Sequence, residues 1–195
     1  MKLISVEKDY SPIVIGIEKA IYMNESLPRK IFRKTFKYFL FITFDEIFMP
    51  LFFNNIQRFL CEENENKFWL AAIEPDPKSY FFTNFNFYGA VRFSVSDTAD
   101  SYLAALHSYP ESSPADALAH NSNILIISTY QNDWVIYGDR NADIAICAFV
   151  GREKMELFSS IYGSDLLENA KFAAEYAYNE SEDISLKNIF YKNYK

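Results

Sequence analysis

The stretch from residue 124 to residue 150 constrains the fold most, because it reads as three consecutive strands. Its three runs are rich in Ile, Val, Tyr and Trp, and polar residues separate them at 131–133 and 139–143. Short runs of this kind joined by Asn and Asp are typical of antiparallel strands connected by tight turns. The segments 124–127 and 144–150 hold no charged residue, so we expect a β-meander that helices cover on at least one face.

The composition favours a folded chain with one core. The sequence has 195 residues, of which 50% are hydrophobic and 18% aromatic, which argues against disorder. This length suffices for a single well-buried core. We therefore predict one α+β domain over residues 1–195, mainly an antiparallel sheet with the meander at about 124–150 under helices, and a loosely docked tail at 179–195.

The cysteines and the apolar segments indicate a cytoplasmic location. Cys61 and Cys147 lie within or beside apolar runs, which predicts buried, reduced thiols rather than a disulfide framework. The first twenty residues lack the cleavage site of a secretory signal. The most apolar region, 36–53, is interrupted by charges and by Pro50, so we expect no membrane span and no membrane partner.

Periodic apolar residues predict several helices. Basic residues spaced by three and four at 29–37 predict a basic amphipathic helix, which would either contact phosphate or a membrane surface or simply face solvent; we favour the solvent-facing interpretation. The clearest apolar periodicity predicts a helix over 44–60 with Thr43 as its cap. Further helices are expected after Asp97 or Thr98 and, near the C-terminus, after Ser164 or Asp165.

Outside the meander, strand signals are fewer. The segments 67–73 and 87–95 predict strands, and the two prolines at 75 and 77 end the first. The patterns at 3–22 and 155–162 fit either a strand or a helix.

The charge is negative and unevenly distributed. The net charge is −7 in total, with eight Lys or Arg against four acids in residues 1–38 and 11 against 22 in the remainder. An acidic body repels nucleic acid and suits a basic protein partner, although on charge alone we favour ordinary solubility as the explanation. We expect no nucleic-acid partner.

Motifs for metal, nucleotide or nucleophilic chemistry are lacking in the sequence. The two histidines, His107 and His120, are thirteen residues apart and belong to no zinc motif, so each is expected at a helix end or in a loop. Five glycines in all form neither a P-loop nor a dinucleotide fingerprint, and no G-x-S-x-G elbow occurs. We expect no metal and no cofactor.

Acidic residues around the second strand of the meander allow an alternative. Asp133, Asp139, Asp143 and Tyr137 could supply the acid and base of a small hydrolase-like enzyme at the sheet edge. The simpler interpretation is turn chemistry, in which each Asp bonds nearby backbone and Arg140 neutralises its neighbours. Trp134 and Tyr137 could be exposed interface anchors or could pack under a helix.

The sequence from Trp134 to Ile146, WVIYGDRNADIAI, resembles the late-strand signature of small bacterial proteins. Many of these resemble immunity proteins of contact-dependent growth inhibition and related polymorphic toxin systems. The resemblance implies a non-enzymatic cytosolic inhibitor that binds the C-terminal domain of one cognate toxin, as a monomer in a one-to-one complex. It also gives the acidic body a reason, since many such toxin domains are nucleases with basic clefts.

Charge and expected exposure, rather than any family motif, select the candidate contact residues. They come from the end of the long helix, the meander and the terminal helix: Glu62, Glu63, Glu65, Trp134, Asp139, Arg140, Asp143, Glu168 and Glu175. Two other classes of function stay open, namely the enzyme described above and a structural subunit that closes a homo-oligomer through its aromatic surface.

Overall fold

The computed structural model describes residues 2–110, 113–179 and 183–195. Within these ranges the chain forms an α+β domain with one antiparallel sheet. The strands are β1 (Lys2–Leu3), β2 (Tyr38–Thr43), β3 (Lys67–Glu74), β4 (Ala90–Ser94), β5 (Ile124–Ser128), β6 (Trp134–Asp139) and β7 (Ile144–Phe149). The helices are α1 (Glu7–Ala20), α2 (Pro50–Glu62), α3 (Thr83–Phe85), α4 (Ala99–His107), α5 (Leu118–Asn121), α6 (Arg152–Tyr162), α7 (Ala170–Ala177) and α8 (Ile184–Tyr194).

The predicted meander is confirmed and lies at the centre of the fold. The strand order is β1-β4-β3-β5-β6-β7-β2, and every strand pairs antiparallel with its neighbours. All residues of β5, β6 and β7 are buried. Because side chains alternate between the two faces of a strand, both faces of these strands must be covered.

Helices cover both faces of the sheet, whereas the sequence predicted helices on at least one face. On one face α2, α4 and α6 enclose an aromatic core in which Phe53, Phe59 and Tyr102 are almost fully buried. On the other face α1, α7, α8 and the segment 21–36 enclose a second core. The sheet is thus the middle layer of three.

The predicted helix over 44–60 is wrong in its first part. Thr43 ends edge strand β2 instead of capping a helix, and residues Asp45–Phe48 form a short 3-10 turn. The helix α2 then begins at Pro50, where a residue without a backbone N–H is well tolerated. Phe44 and the 3-10 turn pack directly on Gly138, where an added Cβ would lie 2.8 Å from Ile47 Cδ1.

The predicted basic helix over 29–37 is also wrong, since this segment consists of turns and a single bridge between Ile21 and Phe32. Tertiary contacts override the helical spacing of its basic residues. Arg33 donates through Nε to the backbone oxygens of Glu18 (3.2 Å) and Ile21 (3.1 Å), and its guanidinium lies 4.2 Å from the Tyr22 ring centre.

The described part of the tail, 183–195, is docked rather than loose. It forms α8, in which Phe190 and Tyr194 are buried. The Tyr194 hydroxyl accepts a hydrogen bond from Ile31 N (3.0 Å) and donates to the backbone oxygen of Arg29. The helix therefore fixes the turn segment that precedes β2.

Several smaller expectations are resolved. The strands over 67–73 and 87–95 are confirmed as β3 and β4, and Thr98 caps α4 with a capping box. The segments 3–22 and 155–162, for which strand and helix were both left open, are mostly helical, and the terminal helix begins after Asn169 rather than Ser164 or Asp165.

Both cysteines are free, but Cys61 is exposed rather than buried. Among the described helices, none has the length and apolarity needed to cross a membrane.

Replacing Tyr194 with alanine should undock α8. Removing a buried aromatic side chain costs roughly 3–5 kcal/mol of the free energy of unfolding, which urea denaturation measures. The matched control is Tyr191→Ala in the same helix, where the side chain is 44% exposed and the expected change is within about 0.5 kcal/mol. Equal effects of the two substitutions would contradict the docking of α8.

Candidate functional site

Glu63 and Glu65 belong to an internal ion cluster at one end of the sheet. Lys154, at the start of α6, lies 2.6 Å from Glu63 Oε2 and 2.5 Å from Asp133 Oδ2, with its own side chain only 16% exposed. Burial alone would lower the pKa of Lys154, but the bonds to Asp133 and Glu63 raise it above its usual value. Glu63 is therefore committed to an internal contact, which limits its use in binding a partner.

Glu65 lies at the edge of the same cluster and accepts a hydrogen bond from the Thr129 hydroxyl at 3.3 Å. Burial, followed by the charge of Asp133, raises the pKa of the Glu65 carboxyl. Glu62 differs from both, because its side chain is exposed at the end of α2.

Trp134 is not a surface anchor. It is fully buried on β6, and its ring lies edge-on to Phe59 with centroids 5.5 Å apart. Tyr137, on the opposite face of the same strand, is only 2% exposed. The alternative that both residues pack under helices is the correct one.

Asp139 and Arg140 serve the turn between β6 and β7. Asp139 is buried, and its Oδ1 accepts hydrogen bonds from the backbone N–H of Asn141 (3.0 Å) and Ala142 (3.2 Å). Burial raises the pKa of Asp139 despite these bonds. Arg140 donates to the backbone oxygens of Ser122 (2.9 Å) and Ala119 (2.7 Å) and lies 4.8 Å from the Phe44 ring centre. Turn chemistry accounts for both residues.

The four residues of the enzyme alternative do not converge. Asp133 precedes β6 and Asp139 ends it, so about 20 Å of strand separates their backbones at roughly 3.4 Å per residue. Tyr137 points into the core, and Asp143 is exposed at the hairpin. These residues therefore do not form one acid–base site.

Asp143 instead belongs to a group of carboxylates around Tyr176 on α7. Tyr176 donates to Asp143 Oδ2 at 2.8 Å. This bond, then burial and the charges of Asp143, Asp45 and Glu46, raises the pKa of Tyr176 to about 12. Burial raises the pKa of Glu46, with a smaller contribution from Asp165. We call Asp45, Glu46, Asp143 and Asp165 the acidic face.

The acidic face lacks internal neutralisation. Within residues 2–110, 113–179 and 183–195, no Lys or Arg forms an ion pair with any of its four carboxylates. Three of the four side chains are exposed and Glu46 is half-buried. Glu168 is exposed before α7, whereas Glu175 is paired with Lys187 at 2.7 Å.

Sequence reasoning identified only Asp143 of this group. Asp45 and Glu46 were read as first-turn residues of a helix, and Asp165 as a helix cap. The four carboxylates come from three distant segments of the chain, which only the pairing of β2 with β7 and the docking of α7 bring together. No periodic pattern could have indicated that proximity.

The two histidines are neighbours in space. His107 at the end of α4 and His120 in α5 have ring centroids 5.3 Å apart at 61°. The described residues contain no cluster of three or more His, Cys, Asp or Glu side chains able to hold a metal ion.

Comparisons with protein-family models, with curated proteins and with solved structures found no match.

Neutralising Glu65 should stabilise the protein at neutral pH. Its raised pKa means that the folded protein binds this proton more tightly than the unfolded chain does. That stabilisation is complete below the pKa of an unfolded glutamate, about 4.3, and is lost as the pH rises through the higher folded pKa. We expect Glu65→Gln to raise the free energy of unfolding at about pH 7 and to have little effect near pH 4.

Urea denaturation across that pH range measures the effect, and Glu62→Gln, at an exposed position of the same segment, is the control. A lower stability of Glu65→Gln at neutral pH would show instead that Lys154 favours the ionised form.

Proposed function

We propose that this protein binds and neutralises a cognate bacterial toxin domain through the acidic face, without catalysis, as an immunity protein does. The observation that carries this proposal is the acidic face, in which Asp45, Glu46 and Asp143 surround Tyr176 and Asp165 lies near Glu46, and in which no Lys or Arg of the described residues pairs with these carboxylates. The resemblance of residues 134–146 to immunity proteins supports the same function.

Electrostatic interactions favour binding of a basic protein to the acidic face. Like charges held close together repel, and a cationic surface relieves this repulsion when it docks. A patch of one sign also speeds encounter with a partner of the opposite sign and orients it. The contrast with Glu63 and Asp133, which share Lys154, indicates that the unpaired carboxylates are the ones free for an external cation.

Exposed aromatic side chains lie beside these charges. Phe172 and Tyr176 are one helical turn apart on α7, with 49% and 39% of their surfaces exposed. Aromatic side chains supply much of the energy of protein interfaces, while charged residues at the rim steer association. Together with the acidic face they form a surface that suits a protein partner better than a small ion.

A nuclease domain fits this surface as the toxin. Its cleft must bind phosphate through Lys and Arg, so a carboxylate surface would occupy the same cations that the nucleic acid needs. The inhibitor would then act by competition and would require no reactive group of its own.

Removing the charge of the acidic face should slow binding. In the triple variant Asp45→Asn, Asp143→Asn and Asp165→Asn, asparagine keeps the left-handed backbone of residue 143, where φ is 48°. We expect association with the cognate toxin domain to slow by about tenfold or more at low salt and to lose most of its salt dependence. Stopped-flow fluorescence measures both.

The control removes three exposed carboxylates elsewhere, by Glu18→Gln, Glu62→Gln and Glu153→Gln, and should change the rate by less than about twofold. Co-expression tests the function itself: cells that make the toxin domain should survive when the wild-type chain is present. Death of those cells despite abundant soluble wild-type protein would overturn the proposal.

A further inference from the structure

Strand β2 is a sheet edge that is open over residues 38–40, whereas Phe41 and Ile42 are buried. It pairs only with β7, and its six residues, YFLFIT, include no charge and no proline. Natural proteins shorten, charge, bulge or cover such edges, because a free edge recruits another strand. The opposite edge follows this rule, since β1 has only two residues.

The hydrogen-bond pattern shows which backbone groups face outward. Phe44 N donates to Asp143 O, so by the alternation of antiparallel pairs Tyr38, Leu40 and Ile42 bond to β7. The backbone N–H and C=O groups of Phe39, Phe41 and Thr43 then point away from β7, while the Phe39 and Phe41 side chains pack on the second core. Leu167 N donates to Phe41 O at 2.8 Å and so covers part of the edge. In the described part of the chain, no hydrogen bond reaches the outward N–H and C=O of Phe39.

The two ends of β2 carry opposite charges. Exposed Lys34 and Lys37 precede the strand. Lys195 lines the same cleft as Phe39, because hydrogen bonds of the Tyr194 hydroxyl hold the end of α8 against residues 29–31. Asp45 and Glu46 of the acidic face follow the strand directly. An edge of about 20 Å, at roughly 3.4 Å per residue, therefore runs from a basic end to an acidic end.

We propose that β2 pairs antiparallel with β2 of a second copy of this chain, around a two-fold axis at Phe39. Antiparallel pairing places the basic end of each strand beside the acidic end of the other, so the edge is complementary to itself. An axis at Phe39 pairs its N–H and C=O with those of its counterpart and confines the pairing to residues 38–40, because Leu167 already bonds to Phe41 O and occupies the edge beyond them. The two seven-stranded sheets become one.

A cleft along this edge has room for the second copy. Its volume is about 590 Å³, and it is lined by Phe39, Leu40, Phe41, Met155, Leu167 and Tyr191, among others. The apolar side chains of the paired strand would enter it. This pairing does not depend on the proposed function, although Asp45 and Glu46 would be shared, so a basic partner would compete with the second copy.

The experiment uses the isolated full-length chain in sedimentation equilibrium over a series of protein and salt concentrations. We expect the average mass to rise toward that of two chains as the concentration increases, and the association to weaken as salt rises. Hydrogen exchange should show that the Phe39 amide becomes protected over the same concentration range.

Reversing the charges of exposed residues at the two ends of β2 tests whether the two strands pair antiparallel. The pair Lys34→Glu and Lys37→Glu, or the pair Asp45→Lys and Asp165→Lys, should each weaken association by about tenfold or more. Combining all four changes should recover association to within about threefold of the wild-type value, because each end then meets its opposite again. Lys8→Glu with Lys67→Glu, at exposed sites away from β2, is the charge control.

A single-chain mass at every concentration would overturn the proposal, as would a dimer that neither charge pair weakens. If Phe39 gains protection only when the toxin domain is added, the edge receives a strand of that partner and the pairing between copies is wrong. None of these results depends on whether the chain protects cells, so the two proposals can fail separately.

Discussion

The structure depends on burial of the central strands from both sides. No residue of β5, β6 or β7 is exposed, and a sheet in this position has no stable alternative to two covering layers. The aromatic richness of the chain follows from that demand, because large rings fill the space between helices and sheet with few residues. Phe59, for example, contacts Trp134, Phe149 and Phe158 edge-on. Phe44 and Ile47 pack closely on Gly138 and so cover β6 in the same way.

Local patterns in the sequence were enough for the parts of the fold that local interactions determine. The meander was predictable because its turns are marked by Asn and Asp, and α4 because Thr98 and Ser101 form a capping box. The strand β2 was missed because an all-apolar run has no period of its own, so residues 38–43 were left without a prediction between the helices expected at 29–37 and 44–60. The segment 29–37 was predicted as a helix because its spacing is helical, whereas contacts of Arg33 and Tyr194 determine its conformation.

The acidic face shows the limit of sequence reasoning more clearly. Charge and expected exposure selected nine residues, yet the structure commits several of them to internal contacts: Glu63 to Lys154, Glu175 to Lys187 and Asp139 to its own turn. Asp45, Glu46 and Asp165 were passed over because each had a local explanation near a helix start. Whether a carboxylate is available depends on where cations of distant segments come to lie, and no local pattern carries that information.

The net charge of the chain is therefore a poor guide to its electrostatics, and the distribution of paired and unpaired groups is a better one. Acids held in ion pairs produce a weak field at a distance, because each pair acts as a dipole whose field falls off faster than that of a single charge. Here the four carboxylates of the acidic face lie at one end of β2, and exposed lysines lie at the other. The protein is thus acidic overall, and the two ends of β2 carry charges of opposite sign. Such an edge suits both of the proposed associations, with a basic surface at its acidic end and with a strand of opposite charge order along its open part.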